Sequence, residues 1–491
     1  MSVRRAVLER GRTEPVTVRG AVFEPVETRW LGDRQPRPAG PEVVARSRRP
    51  RRLKELSPAA EVARADDRDP KGNPDPVVFH AYGPADTLVR SLTNAADMSG
   101  ADTEPDVIMT TGNWYCDVST DGGGSWKRLD PTTIFPNTLA DGFCCDQVVL
   151  HVLAIDCFVW FLQYKAAADG QGAFRIAVAR TQSVRDDPTA WTCWDFLGGD
   201  FGFPTSDMDY PDLACSDTFL FVSTDVFAAG GRLVVRIPLD ELQAGGALNF
   251  GYTDPTRSTN AWGGHLVQQC RSRAVWVGHR TNSQLEVYTM PDGGSTYSSF
   301  TVDVAAWPNG TQSSIGPDGN DWLAKLQNFP RFAVTGGVER DKGTVVLAWS
   351  ASAGKGSASA FDFPQAHVRV VEIDTATRTV VGEVPVWNEK IAFAYPVLAV
   401  NARDEVGIVL GWGGGDDHAN CAMGLMGDFV VWFRDGSTRT VQRFGDYLTT
   451  RPAHRNRSLF GAWGYWVTEV AGDPTSCEYH PFYARYGRAS A

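Results

Sequence analysis

Six segments of the sequence follow one plan: a short apolar run, a polar turn of a few residues, then a strongly apolar run that ends on an aromatic or polar residue. They are Asp146–Tyr164 (DQVVLHVLAIDCFVWFLQY), Asp212–Asp225 (DLACSDTFLFVSTD), Leu266–His279 (LVQQCRSRAVWVGH), Phe332–Trp349 (FAVTGGVERDKGTVVLAW), Val397–Trp412 (VLAVNARDEVGIVLGW) and Tyr447–Trp463 (YLTTRPAHRNRSLFGAW). Their starts lie 66, 54, 66, 65 and 50 residues apart. Each segment reads as two antiparallel strands, and a recurrence of this length accommodates about four strands per unit. The stretch Asp106–Leu129 supplies one further unit. The expected fold is therefore all-β, a β-propeller of seven blades. Six is the alternative, because one blade can be divided between the two ends of the chain, and Phe482–Gly487 reads as the closing strand.

Composition agrees with short strands and many turns. No long stretch repeats apolar residues at helical spacing, while 49 glycines and 29 prolines punctuate the chain. A hydrophobic content of 43% supplies a large core. No apolar run approaches the ~20 residues of a membrane-spanning helix, so a soluble protein with no membrane partner is expected.

The net charge of -11 is unevenly spread, since residues 1–71 hold 17 Lys+Arg against 11 Asp+Glu and the remainder is strongly acidic. An acidic body does not displace counterions from a phosphate backbone, so nucleic acid is not an expected partner. The basic run Arg46–Lys54 (RSRRPRRLK) reads as part of a solvated tail. Residues 1–75 are accordingly drawn as an extended or disordered Arg/Pro-rich arm that wraps the body and offers a route to oligomerisation, and residues 76–491 as the propeller.

Nine cysteines are an odd number spread over a long chain, unlike a dense disulfide framework. Cys144 and Cys145, with His151 nearby, lack the paired spacing of a zinc site and read as buried free thiols. Arg4 and Arg5 are followed by charged residues where a secretory signal needs an apolar core, so a cytoplasmic location is expected, with export by another route as the alternative.

Ser119–Trp126 reads S-T-D-G-G-G-S-W. This is the chemistry of a tight turn: Asp121 can accept from turn amides, the glycines supply positive φ, and Trp126 packs beneath. The octapeptide matches S-x-D-x-G-x-[ST]-W at every defined position, and Asp292–Tyr297 (DGGSTY) is a degenerate copy with Met290 where Ser would stand. On these two boxes the chain resembles the sialidase-like (BNR, Asp-box) β-propeller superfamily. Arg443–Tyr447 (RFGDY) is similar to the R-[WF]-G-D-Y strand start of many bacterial propellers of that kind. The resemblance implies structural roles for Asp121 and Asp292, and a ligand held at the central axis where the innermost strands begin.

Read at those strand starts, the sequence offers Asp146, Tyr210, Asp212 and His265 as candidate catalytic residues, and Arg331, Arg280, Tyr395 and Asp446 as candidate substrate-binding residues. Arginine pairs with a carboxylate through two hydrogen bonds, which suits an acidic sugar. Glycoside hydrolysis needs two carboxyl groups, for which Asp146, Asp212 and Asp446 stand ready. Elimination beside a uronate needs a cation and a base, for which Arg331, His265 and Tyr210 stand ready. The architectural alternative is that acidic residues at strand starts hold neighbouring backbone amides.

A true sialidase is not expected, because the early [FY]-R-I-P motif is missing and Val235–Pro238 carries R-I-P only in mid-chain. The sequence also lacks G-x-S-x-G, Walker A, H-E-x-x-H and dinucleotide-binding motifs in suitable settings. No cofactor is expected; Gly413–His418 (GGGDDH) reads as a solvated loop and is the one place left for a divalent cation such as calcium. The expected function is cleavage of a glycosidic bond next to an acidic sugar, by a glycoside hydrolase or a polysaccharide lyase. The alternative is a non-catalytic propeller that binds a glycan or a protein.

Overall fold

The structure, a computed structural model, describes residues 3–19, 77–82, 88–92, 94–103, 106–113, 115–327, 333–357, 360–426, 431–433, 436–454 and 456–490. Among these residues the helices reach at most six residues, as in Thr181–Asp186 and Leu239–Ala244, and none is long and apolar enough to cross a membrane. The chain divides into two compact units: Met1–Glu27, Ser99–Gly278 and Glu286–Thr301; and Thr28–Met98, His279–Leu285 and Val302–Ala491.

Among the described residues, three antiparallel sheets and most of a fourth belong to the first unit. The first sheet is Ser99–Thr103, Val107–Gly112, Tyr115–Ser119 and Lys127–Leu129 in sequence order. The second runs Phe143–Val152, Cys157–Tyr164, Ala173–Arg180 and Ala190–Leu197, with Pro15–Arg19 added outside. The third runs Met208–Cys215, Phe219–Val226, Gly231–Pro238 and Leu248–Tyr252, with Glu9–Thr13 outside. The fourth is Arg273–Thr281, Gln284–Pro291 and Thr296–Asp303, preceded by a bridge from Leu266 to Trp276 and completed by Arg4–Val7. Residues 4–19 of the expected arm thus supply an outer strand to three sheets in turn, with Leu8 and Val18 buried.

Among the described residues the second unit holds three further sheets. The fifth is Val334–Glu339, Thr344–Ala351, His367–Asp374 and Thr379–Val386; the sixth is Ala392–Val400, Val406–Gly414, Asp417–Leu425 and Val431–Phe433. The seventh joins Thr449–Pro452, Phe460–Val470 and Asp473–Arg488 to Val77–Tyr82, so its outer strand comes from far earlier in the chain. Each sheet is a meander of the blade type, and the fold is all-β with the seven blades of a β-propeller.

Burial explains why these sequences make these strands. Cys157–Tyr164 (CFVWFLQY) is buried at every position, as a strand covered on both faces requires, and Thr344–Ala351 is the same. The outer strand Thr379–Val386 instead alternates exposed and covered residues along its first half. Neighbouring sheets share cores: Met109, Trp160 and Cys193 in the first unit, Val346, Leu398 and Leu410 in the second.

The turn Ser119–Trp126 joins the last two strands of the first sheet. Asp121 accepts from the Ser125 amide (2.8 Å) and the Ser119 and Ser125 hydroxyls (2.8 and 2.7 Å), Ser119 Oγ accepts from the Gly123 amide (2.8 Å), and the Trp126 indole donates to Gly123 O (3.2 Å). Gly122 and Gly123 have φ of 74° and 94°, values that suit glycine. At the degenerate copy, Arg236 donates to the carbonyls of Pro291, Asp292 and Gly294, so the R-I-P arginine clamps a turn of the fourth sheet.

Candidate active site

In the third sheet the ladder pairs Asp209 with Asp225 and then Asp212 with Ser223, leaving Tyr210 and Pro211 opposite a single residue. This is a β-bulge, and it puts Tyr210 at φ 59°. A bulky residue stays in the left-handed region only where its surroundings hold it. Here the Asp209 carboxylate accepts from the Tyr210 amide (2.7 Å) and Arg232 donates to the Tyr210 carbonyl (2.7 Å).

Arg232 and Asp225 are buried together, with a 3.1 Å ion pair between them. Arg232 also donates to Ser223 Oγ (2.8 Å), and the other oxygen of Asp225 accepts from the Gly263 amide (2.7 Å). Burial raises the Asp225 carboxyl to about 7 although Arg232 works against the rise. Asp225 therefore anchors the segment that precedes His265. The His265 ring lies 5.4 Å from that of Tyr210, and the Arg232 guanidinium carbon lies 5.9 Å from the centre of the Tyr210 ring.

Two further carboxylates stand at this strand entry. Asp207 is exposed along one side, yet partial desolvation and the nearby charge of Asp209 raise its carboxyl above the usual range, against the Met208 amide that donates to it. Asp209 receives the buried Gln163 amide nitrogen (2.9 Å). Because Met208 pairs with Val226, the loop after Val226 sits at the same end of the sheet. From it Phe227, 46% exposed, meets Trp262 edge to face at 5.1 Å. The entry thus combines two carboxylates two residues apart, a Tyr–His ring pair and an accessible aromatic surface.

Asp212 points elsewhere: its carboxylate accepts from the Leu266 amide (2.8 Å) and Gln268 (3.4 Å), which is the architectural role. Asp146 lies buried in a wider bulge of the second sheet, where Phe143 pairs with Tyr164 and Gln147 with Leu162. Gln147 is architectural too, donating to Gly112 O and Tyr115 O. Cys144 and Cys145, expected as buried free thiols, instead form a disulfide with each other and are only half-buried; the remaining seven cysteines are free. Neighbours in a regular strand point to opposite faces, and the bulge suspends that alternation.

In the second unit, Tyr395 lies in the first strand of the sixth sheet in a bulge like that of Tyr210, at φ 56° and followed by Pro396. Its ring packs against Trp322 (6.1 Å) and Phe444 (5.9 Å). Burial, then the charge of Asp446, raises its phenol well above the ordinary value, so Tyr395 keeps its proton. Asp446 pairs with Arg443, and its amide donates to Asp97 (2.5 Å), so Tyr395 and Asp446 come together with Arg443 and Asp97. Arg280 is exposed near the end of its strand, and Arg331 lies outside the described residues. Gly413–His418 is a tight hairpin in which Gly414 pairs with Asp417. Among the described residues, no group of three His, Cys, Asp or Glu side chains is placed to hold a metal ion.

Asp207, Asp209, Arg232, Asp225 and Gln163 were not singled out by sequence reasoning. The run S-D-M-D-Y-P-D at Ser206–Asp212 carried a signal in its density of carboxylates, whereas Gln163 becomes visible only through the bulge opposite it.

No protein-family model matches the chain, and no curated protein matches it. Solved structures do. The α-L-arabinofuranosidase of Fusarium graminearum is 10% identical, with a TM-score of 0.40 over 84% of this chain and 98% of that one. The Penicillium chrysogenum α-L-arabinanase complexed with arabinobiose is 8% identical, with a TM-score of 0.36 over 82% and 96%. A protein of unknown function from Dyadobacter fermentans is 11% identical, with a TM-score of 0.38 over 81% and 99%. Likeness at this level concerns the course of the chain, so an activity has to be argued from side chains.

Proposed function

We propose that the chain is a carbohydrate-active enzyme, a glycoside hydrolase of the sialidase-like (Asp-box) propeller kind, whose chemistry sits at the entry of the third sheet. The observation that carries this reading is the Asp207 carboxyl, raised first by partial desolvation and then by the charge of Asp209 two residues on, on a residue whose carbonyl accepts from the Phe227 amide (3.1 Å) beside an accessible aromatic surface. Glycosidic cleavage needs one carboxyl that holds a proton for the leaving oxygen and a second that acts as base or nucleophile. Asp207, shifted upward, suits the acid. Asp209, oriented by Gln163 and the Tyr210 amide, suits the second role. Phe227 and Trp262 offer faces on which a sugar ring stacks, and His265 and Tyr210 line the approach.

The test follows new reducing ends and ultraviolet absorbance on arabinan, sialosides and uronate-containing glycans. The wild type is expected to release reducing ends without an absorbing product, with Asp207→Asn and Asp209→Asn each slower by at least ~100-fold. Turnover that survives both substitutions removes the assignment, and an absorbing product replaces hydrolysis with elimination.

A second reading, recognition of an acidic sugar without turnover, is favoured by Arg443. Its side chain is 39% exposed beside Asp446, within reach of a ligand carboxylate, while the neighbouring Tyr395 holds its proton and makes a poor base. Binding of a uronate oligosaccharide that is lost in Arg443→Met, with no product formed, is the result that would select it.

A further inference from the structure

We propose that the Cys144–Cys145 disulfide is a redox-sensitive positioning element for Asp209, acting through Gln163. The inference rests on the reading of Asp209 as a reacting carboxylate.

The third and sixth sheets begin alike: after the last regular pair come Tyr and Pro, opposite one residue of the next strand. Proline fixes φ and so stiffens the bulge. In the second sheet the two residues after the last regular pair are Cys144 and Cys145, and Asp146 is an additional bulged residue. A ring closed between adjacent cysteines restricts the same two residues by a covalent route. The residue opposite this bulge is Gln163.

The Gln163 side chain is buried and its orientation is fixed by chemistry. Its nitrogen donates to Met208 O (3.0 Å) and to Asp209 Oδ1 (2.9 Å), so its oxygen is the atom turned to Cys145 Sγ, 3.8 Å away. A disulfide sulfur has no proton to give, whereas a thiol donates weakly. Reduction by a dithiol breaks the Cys144–Cys145 bond, transfers two electrons and two protons to form two thiols, and closes the reductant's own disulfide. The bulge then loses its ring, and Cys145 gains a donor aimed at Gln163. Both changes reach Asp209 through one amide. The pair is half-buried, whereas six of the seven free cysteines are buried, so a soluble reductant meets this site readily. In a reducing compartment the ring would open and close with the thiol poise.

The experiment compares oxidised and dithiothreitol-reduced protein, with the redox state confirmed by counting alkylated thiols. Amide hydrogen exchange is read over residues 143–147 and 207–210, alongside kcat and KM on the glycan that the panel identifies. Reduction is expected to speed exchange in both segments and to lower kcat roughly tenfold with KM little changed. Cys144→Ser/Cys145→Ser should behave as the reduced protein whatever the reductant. Gln163→Leu should lower kcat by itself and abolish the response at 207–210 while keeping that at 143–147. Exchange at 207–210 that ignores the redox state overturns the proposal. Exchange that responds while no glycan is turned over supports the coupling and refutes the hydrolase reading instead.

Discussion

Replacing Arg232 by Met tests the electrostatics beneath the candidate site. The substitution removes the 3.1 Å ion pair with Asp225 and the hydrogen bonds to Ser223 Oγ and the Tyr210 carbonyl, all among buried groups. Breaking a buried pair from one side typically costs about 3–5 kcal/mol. In this pair the cost depends on pH. Asp225 titrates at about 7 in the folded chain, above its value of 3.8 when unfolded, so the native state binds the extra proton and its stability declines as pH rises between those values. Above about 7 the wild type loses nothing further from this group. Without Arg232 the carboxyl moves higher still, so the variant goes on losing about 1.4 kcal/mol per pH unit where the wild type has levelled off. Urea unfolding at pH 6 and pH 8 should therefore show the larger destabilisation at pH 8, by roughly 1.4 kcal/mol, with equal m-values. Equal losses at both pH values would refute the account of Asp225 as a buried carboxyl kept ionisable by Arg232. The same variant should weaken ligand binding, because the strained backbone of Tyr210 loses the donor to its carbonyl.

The turn and the packing around Asp207 give two further tests. Asp121→Ala removes the acceptor for the Ser125 amide and two hydroxyls, and should destabilise the protein by about 1–2 kcal/mol at pH 7 in thermal or urea unfolding. Its hydrogen bonds lower the Asp121 carboxyl below the ordinary value, so that contribution is present above the unfolded value and fades as pH falls, and the gap to wild type should narrow in acid. A Cβ on Gly172 would lie 2.7 Å from the Met208 amide nitrogen and 3.1 Å from Asp207 Cα. Gly172→Ala should cost about 1–3 kcal/mol and slow turnover by more than its stability loss accounts for, read as kcat at a temperature where the variant is fully folded.

What the sequence could and could not say follows from the range of each interaction. Five of the six repeated segments fall on the first two strands of their sheets and Leu266–His279 on the bridge and first strand of the fourth, because a strand buried on both faces must be nearly all apolar and such a run is visible locally. Residues 4–19 also carry a weak alternation, yet the arginines among Val and Leu read as a tail; they are outer strands with one face in water. The site was legible only as a neighbourhood. Asp209 and Asp212 sit three residues apart in one acidic run, and nothing local distinguishes them. The distinction is made by a Leu266 amide 54 residues further on, which occupies Asp212, and by a bulge that turns Asp209 toward Gln163. The same holds for Cys144 and Cys145, whose adjacency is plain in sequence while the break in strand alternation that lets them bond is not. At each strand entry a single extra residue in the ladder decides which side chains become scaffold and which remain to act, and for that reason substitutions at Gln163 and Tyr210 should change function more than their chemistry alone would imply.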